Sequence, residues 1–385
     1  MKKLLTIIGA RPQIIKAAAL NRAIQSKFSS QLTEVLVHTG QHYDHGMSDV
    51  FFEEMGIPQP NYQLSIGSGS HGKQTGKMLE EIERVINLEN PDALVIYGDT
   101  NSTLAGALAA SKLHIPVVHI EAGLRSFNKR MPEEINRITA DHTSTLLYSP
   151  TKAGLRSLER EGFLSLDEAQ KKGKADVDNP YVFHCGDLMY DNTLFYSAKA
   201  DEYQSLFSTH GIDKGNFILS TIHRPQNTDD INTLAGILSA LNEISLQNQI
   251  QIVLPLHPRT ANMIQQSDDS EIKSLAENLL FKIVEPVGFL EMILLEKHAQ
   301  LVMTDSGGVQ KEAFFMKKPC VILRPETEWV EIVESGCAVL AGSNPVKIKS
   351  GYEHFSHKGK LEYPSIFGDG SAAEFICQSI LEHLT

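Results

Sequence analysis

Short, continuous runs of apolar and β-branched residues recur along the chain, with helical spacing of apolar positions between them. In the first half the runs fall at 4–9, 34–40, 93–99, 117–122, 145–150 and 182–187. In the second half they fall at 217–223, 251–257, 281–287, 301–305, 320–324 and 337–341. A strand with one wet face alternates apolar and polar positions, whereas a strand covered on both faces stays apolar throughout. These runs are of the second kind and predict parallel strands between layers of helix. Alternation of strand and helix carried through twice predicts an α/β fold of two doubly wound domains. The expected domains are 1–190 and 191–370, with the junction within 187–203. A last helix over 371–385 is expected to pack back on the first domain. The polar stretch 166–179 reads as a surface loop or short exposed helix.

Composition narrows the function. A chain of 385 residues suits two domains rather than one core, and 42% hydrophobic with 21% charged residues is ordinary for a globular protein. No apolar run approaches the ~20 residues of a membrane span. The basic start gives way to a short apolar stretch ending at Gly9-Ala10-Arg11-Pro12, which reads as a first strand, not a signal peptide. Cys185, Cys320, Cys337 and Cys377 are scattered without metal-like spacing, which points to a reduced cytoplasm. A formal net charge of -12 argues against nucleic acid as a partner. An anionic substrate would then need locally placed cations or helix N-termini.

Ligands of open α/β sheets bind beyond the carboxyl ends of the strands. In this chain those ends carry Arg11, Asp99 and Glu121 in the first half, and His223-Arg224, His257 and Asp305-Ser306-Gly307-Gly308 in the second. If the domains face one another, all six converge on a central cleft. Ser306 can cap a helix whose first N–H groups, at Gly307 and Gly308, suit a phosphate; a plain capped helix is the alternative. Glu312, further along, could reach ribose hydroxyls. Glu133 and Arg137 stand at i and i+4 on a helix fed by the loop after Glu121, so Glu133 is either a site carboxylate or half of a surface ion pair. The stretch Gly67-Ser68-Gly69-Ser70-His71-Gly72 matches the dinucleotide fingerprint literally. It is rejected, because residues 61–66 are too polar for a buried first strand and Asp92 begins a strand instead of ending one.

Taken together, Gly9-Ala10-Arg11-Pro12 with Lys16, Gly98-Asp99-Thr100, His119-Ile120-Glu121-Ala122-Gly123-Leu124-Arg125, Pro132-Glu133-Glu134-Ile135-Asn136-Arg137, His223-Arg224 and Thr304-Asp305-Ser306-Gly307-Gly308-Val309-Gln310 resemble the non-hydrolysing UDP-N-acetylglucosamine 2-epimerase family over essentially the whole chain. The resemblance implies two Rossmann-like domains in a GT-B-like arrangement, shared with one large glycosyltransferase class. It further implies a homodimer, a UDP-sugar substrate, a role in surface polysaccharide synthesis, and no cofactor or metal. UDP would leave C1 while a carboxylate takes the C2 proton, giving a 2-acetamidoglucal; UDP would then re-add and the proton return on the other face. By the family pattern Asp99, Glu121, Glu133 and His223 are catalytic. Arg11, Lys16, Arg125, Arg137, His257, Met292, Ser306, Gly307, Gly308 and Glu312 bind substrate.

Several positions depart from the family. Gln13 stands where many members have Glu, Met292 where an aromatic ring often stacks near the uracil (with Phe289 one turn away), and Trp329 where a family Arg falls. The segment 40–44 keeps Gln41 and His42 but departs next door, in a region that some members use for an activating second UDP-sugar. Gln13 and Trp329 look closer to relatives acting on UDP-2,3-diacetamido-2,3-dideoxyglucuronate. Gln13, two residues from Arg11, is expected to face the sugar, where a Glu would repel a C6 carboxylate by a few kcal/mol at ~4 Å. Lys129 or Arg130 could contact that carboxylate. A UDP-sugar-dependent glycosyltransferase and a non-catalytic UDP-sugar sensor are the rival readings. Three carboxylates around one sugar suit elimination and re-addition better than either.

Overall fold

A computed structural model describes residues 1–41, 52, 55–256, 260, 261, 263, 264, 272, 275 and 278–384. The chain divides into two compact units, Met1–Asn192 with Ser365–Thr385, and Thr193–Pro364. Each is an α/β unit built on one wholly parallel sheet.

In the first unit the strands are β1 (Lys2–Ile8), β2 (Leu32–His38), β3 (Tyr62–Gln63), β4 (Ala93–Tyr97), β5 (Val117–Ile120), β6 (Leu146–Ser149) and β7 (Tyr181–His184). They lie in the order β3-β2-β1-β4-β5-β6-β7. In the second unit β8 (Phe217–Thr221), β9 (Gln251–Pro255), β10 (Phe281–Val284), β11 (Leu301–Thr304), β12 (Cys320–Ile322) and β13 (Ala338–Leu340) take the order β10-β9-β8-β11-β12-β13. Both sheets wind outward from the first strand and then reverse. The winding reverses between β1 and β4, and between β8 and β11, and the loops that leave those strands diverge there. Every residue of β4, β5, β8, β9 and β11 is buried, as covering helices on both faces demand.

Each expected apolar run became a strand, but the ladders stop one to three residues before many of the expected ends. In β4 the last paired residue is Tyr97, and Gly98 turns the chain out of the sheet at φ +61°. The polar residues read as strand termini therefore stand in the loops just beyond. The strand β3 was not foreseen. It is a two-residue edge strand without an apolar run, steadied by the Tyr62 hydroxyl donating to Glu89 at 2.6 Å. The polar stretch is a helix, Leu166–Lys172, followed by a loop.

The helix Ala372–His383 lies in the first unit. Ala372 and Ala373 N–H groups donate to the Asp191 carboxylate at 3.2 and 2.8 Å, and the Tyr148 hydroxyl donates to Ser379 at 2.9 Å. Among the described residues no helix is long and apolar enough to cross a membrane.

Candidate active site

In the first unit β1, β4 and β5 are neighbours, so the loops that follow them share one edge of the sheet. Thr100 caps the helix Asn101–Lys112 through its hydroxyl, and this fixes Asp99 in the short turn between Tyr97 and the cap. Asn136 Nδ2 donates to the Asp99 carbonyl at 2.8 Å, and the Asp99 carboxylate is ion-paired with Arg137. Glu121 follows β5 with φ +72°, a left-handed conformation that is costly for a side chain of this size. Two N–H groups, of Glu121 and Ala122, donate to the Tyr148 carbonyl at 3.0 Å and hold the turn. Lys16, from the helix Arg11–Ala23, forms an ion pair with Glu121, and both side chains are about nine-tenths buried. Arg11 is exposed at the first position of that helix.

The helix Pro132–His142 brings the next group. Glu133 is exposed, and Arg137 makes its ion pairs with Asp99 and, at 3.1 Å, with Glu134. The i, i+4 pair of Glu133 with Arg137 is therefore not the arrangement adopted. Glu134, buried, accepts from the N–H groups of Ser126 and Phe127 at 2.8 and 2.9 Å. Burial opposes its charge, but these bonds and Arg137 outweigh that and hold its carboxyl below the usual range. Glu134 thus ties the loop carrying Lys129 and Arg130 to the helix carrying Glu133. Sequence gave no sign of this, because neighbouring glutamates look alike until the helix phase is known.

Two expectations are corrected. Gln13 does not face a sugar. It is buried, with Oε1 accepting from Gly9 and Ala10 N–H at 2.9 and 3.1 Å and Nε2 donating to the Tyr97 carbonyl, Thr100 and Thr103 at 2.9–3.0 Å. At the third helical position its side chain folds back onto the helix N-terminus and braces the β1 and β4 loops from within. Arg125 does not point at substrate either. Its side chain is 1% exposed, paired with Asp141 and Glu161 at 2.7 Å each. Asp141 also meets His119 Nδ1 at 2.7 Å, and His119 Nε2 meets the Gly98 carbonyl at 2.8 Å. Burial works against the Asp141 charge, yet His119 and Arg125 prevail and keep its carboxyl low. His119, Asp141 and Arg125 therefore form a buried support under the Gly98 and Glu121 turns.

In the second unit β8, β11 and β12 are neighbours. Asp305, fully buried after β11, accepts from His223 N–H at 3.0 Å, Arg224 N–H at 3.0 Å and Asn227 Nδ2 at 3.0 Å. It also faces His223 Nδ1 at 3.2 Å, and the His223 ring is partly exposed. Burial would raise the Asp305 carboxyl, but His223 and the N–H donors hold it low. Ser306 caps the helix Gly307–Phe315 by accepting from Val309 N–H, and Gly307 and Gly308 occupy its first two positions. Those N–H groups, at the positive end of a nine-residue helix, suit an anion. Glu312 lies on the same helix. The fully buried Glu296 is pushed well above the usual carboxyl range by burial and by the neighbouring charge of Glu312. Met292 is half-buried on the helix Phe289–His298, whose Phe289 packs against Tyr196 at 5.5 Å. His257 lies outside the described residues, as do 42–44.

The rejected fingerprint falls after the edge strand β3 and runs into the helix His71–Glu89. The Asp92 carboxylate accepts from Lys3 N–H at 2.6 Å, at the amino end of the sheet. A dinucleotide site needs the first strand and an acid at the carboxyl end, and this segment offers neither.

The fold is that of a GT-B-like α/β enzyme, with carboxylates at the strand ends of one unit and a helix terminus suited to an anion in the other. The sequence model of the UDP-N-acetylglucosamine 2-epimerase family matches residues 25–381, and the chain belongs to that family. It is therefore an isomerase, which decides against the glycosyltransferase reading. It is 48% identical over 376 residues, 98% of each chain, to the UDP-2,3-diacetamido-2,3-dideoxy-D-glucuronate 2-epimerase of Pseudomonas aeruginosa. With the UDP-N-acetylglucosamine 2-epimerase of Methanocaldococcus jannaschii it shares 42% over 377 residues, 97% of each chain. The structure resembles that of the M. jannaschii UDP-GlcNAc 2-epimerase in complex with UDP-GlcNAc and UDP, at TM-score 0.82 and 40% identity over 99% of each chain.

Proposed function

We propose that this protein inverts C2 of a UDP-linked 2-acetamido sugar by eliminating and re-adding UDP. The carrying observation is the pair of carboxylates on adjacent strand ends, Asp99 held by Arg137 and Glu121 held by Lys16. Inversion at C2 needs proton-handling groups for both faces of the ring, and Asp99, Glu121 and Glu133 supply three candidates. In the forward step a carboxylate takes the C2 proton, the C1–O bond breaks, a C1–C2 double bond forms and UDP carries away the electron pair. Re-addition reverses these changes with the proton delivered to the other face. The atoms balance without an oxidant, so the chemistry needs no redox cofactor.

The C2 hydrogen is weakly acidic, so departure of the diphosphate leads. Donors aimed at the developing charge are each worth ~10²–10³ in rate. The N–H groups of Gly307 and Gly308 with His223 supply such donors in the second unit, and Arg11 does so in the first; the Ser306 N–H already donates to the Thr304 hydroxyl at 2.9 Å. Glu312 binds the ribose and Met292 lies against the uracil in this reading.

For the sugar, the 48% identical relative supports a 3-acetamido uronate. Lys129 and Arg130 are exposed on the loop between Glu121 and Glu133 and suit a C6 carboxylate. Gln13, buried, contributes no part of this argument. The protein works as a cytoplasmic homodimer making a precursor for surface polysaccharide; four unbridged thiols suit that compartment. The test of the substrate is kcat/KM for UDP-N-acetylglucosamine, its C6 uronate and the 3-acetamido uronate. The reading expects the 3-acetamido uronate to lead. A clear preference for the unmodified sugar would assign the parent activity instead.

A further inference from the structure

Two successive glycines open the helix Gly307–Phe315. Glycine restrains φ and ψ least, so at this first turn a contact from outside the helix can add to the cap in fixing how the N–H groups point. That contact is visible. The indole Nε1–H of Trp329 donates to the Gly307 carbonyl at 3.1 Å. The peptide unit joining Gly307 to Gly308 is planar, with its N–H opposed to its C=O, so pinning the carbonyl also aims the Gly308 N–H.

The indole is itself held. Trp329 is 6% exposed, and Lys311 Nζ lies 4.1 Å from its ring centroid, a cation–π contact. The Trp329 N–H donates to the Thr327 hydroxyl at 3.1 Å, and that hydroxyl donates to Gln310 Oε1 at 2.6 Å. Beside it Arg324 and Glu328 pair through two bonds of 2.9 Å. The segment from Arg324 to Trp329 is thus fastened to the first turn of the helix at several points, and Lys311 is a buried cation on that same helix.

We propose that Trp329, locked by Lys311, is a positioning residue for diphosphate binding: it sets the peptide plane of Gly307–Gly308 and so the direction of the Gly308 N–H. This rests on the reading of that helix terminus as the diphosphate site. Trp329 acts through the peptide plane, and its effect is on the phosphates. Losing the indole N–H should weaken binding of UDP while leaving uridine, which carries no phosphate, unaffected.

The experiment measures dissociation constants of UDP and uridine for the full-length protein and for Trp329→Phe and Lys311→Met. Trp329→Phe keeps an aromatic ring but removes the donor. One hydrogen bond is worth about a three- to tenfold change in Kd, so UDP should weaken by that factor with uridine unchanged. Equal weakening of both ligands, or of neither, would overturn the brace. Failure of the unaltered protein to bind UDP would overturn the diphosphate site and the brace with it. Trp329 is the chain's single tryptophan, which gives a second readout that needs no folded Trp329→Phe. UDP should change its fluorescence and uridine should not, and Lys311→Met should shift the emission and lower the UDP-to-uridine affinity ratio. A UDP response identical to that of uridine would contradict the proposal.

Discussion

The Lys16 ammonium and the Glu121 carboxylate meet directly against Gly98. A Cβ on Gly98 would stand 3.2 Å from Glu121 Oε2 and 3.7 Å from Lys16 Nζ. Strand β1 leads into the helix that carries Lys16, β4 ends at Gly98 and β5 ends at Glu121, so three neighbouring strands contribute to one ion pair. The contact explains both the glycine and the left-handed backbone of Glu121: each lets a carboxylate stand close over the sheet edge.

Gly98→Ala should therefore harm activity more than folding. The φ of +61° costs a side chain about 1–2 kcal/mol, and the methyl group must displace the Glu121 carboxylate. Lys16→Met leaves Glu121 without its cation, and misplacement of a catalytic group by an ångström is worth about a hundredfold in rate. Steady-state kinetics alongside thermal unfolding should show turnover falling at least tenfold in both variants with the fold retained. Normal turnover in either would mean that the pair is only structural.

The three carboxylates should behave alike towards turnover and unlike His223 towards binding. Asp99→Asn, Glu121→Gln and Glu133→Gln should each cut kcat by several orders of magnitude while UDP affinity stays near normal, because none of the three is among the groups proposed to hold the diphosphate. His223→Ala should lower both UDP affinity and kcat, and Asp305→Asn should follow it, since Asp305 orients the ring. Calorimetric titration with UDP and progress curves separate the two patterns. A Glu133→Gln protein with ordinary turnover would remove that exposed residue from the chemistry.

The fold was largely legible because parallel strands covered on both faces leave continuous apolar runs. Their ends were read too long because polar residues such as Asp99 and Glu121 follow the last apolar position closely, and only Gly98 and the ladder show where pairing stops. The same adjacency put Asp99, Glu121, His223 and Ser306 just beyond the strand ends, which is where the structure has them. It misled at Gln13 and Arg125. Nearness in sequence to Arg11 or Glu121 says nothing about which way a side chain turns, and both turn inward to backbone or carboxylate partners. The supports of the site, His119 with Asp141 and Trp329 with Lys311, join residues whose spacing follows no motif.

Asp191 gives a pH dependence whose sign is fixed. Burial is the main reason its carboxyl is raised from 3.8 to about 6, despite the N–H groups of Ala373 and Ala372. A raised carboxyl favours the folded state most at low pH, where it is protonated in both states. That advantage is lost as pH rises through the unfolded value towards about 6. Relative to Asp191→Asn, which does not titrate, the unaltered protein should lose up to about 3 kcal/mol of stability between pH 4 and pH 7. Chemical unfolding of the two proteins across that range tests it. Parallel stability curves would mean that the carboxylate capping the helix Ala372–His383 is not perturbed.

The central claim is that the C2 hydrogen leaves as a proton while UDP departs from C1. The most direct measurement is proton NMR of the purified protein with its preferred UDP-sugar in deuterated water, with no nicotinamide added. Deuterium should replace hydrogen at C2 in both epimers as equilibrium is approached, and the C2 proton signals should fade at a rate tied to turnover. Epimerisation with the C2 hydrogen retained, or an absolute need for NAD, would contradict the account.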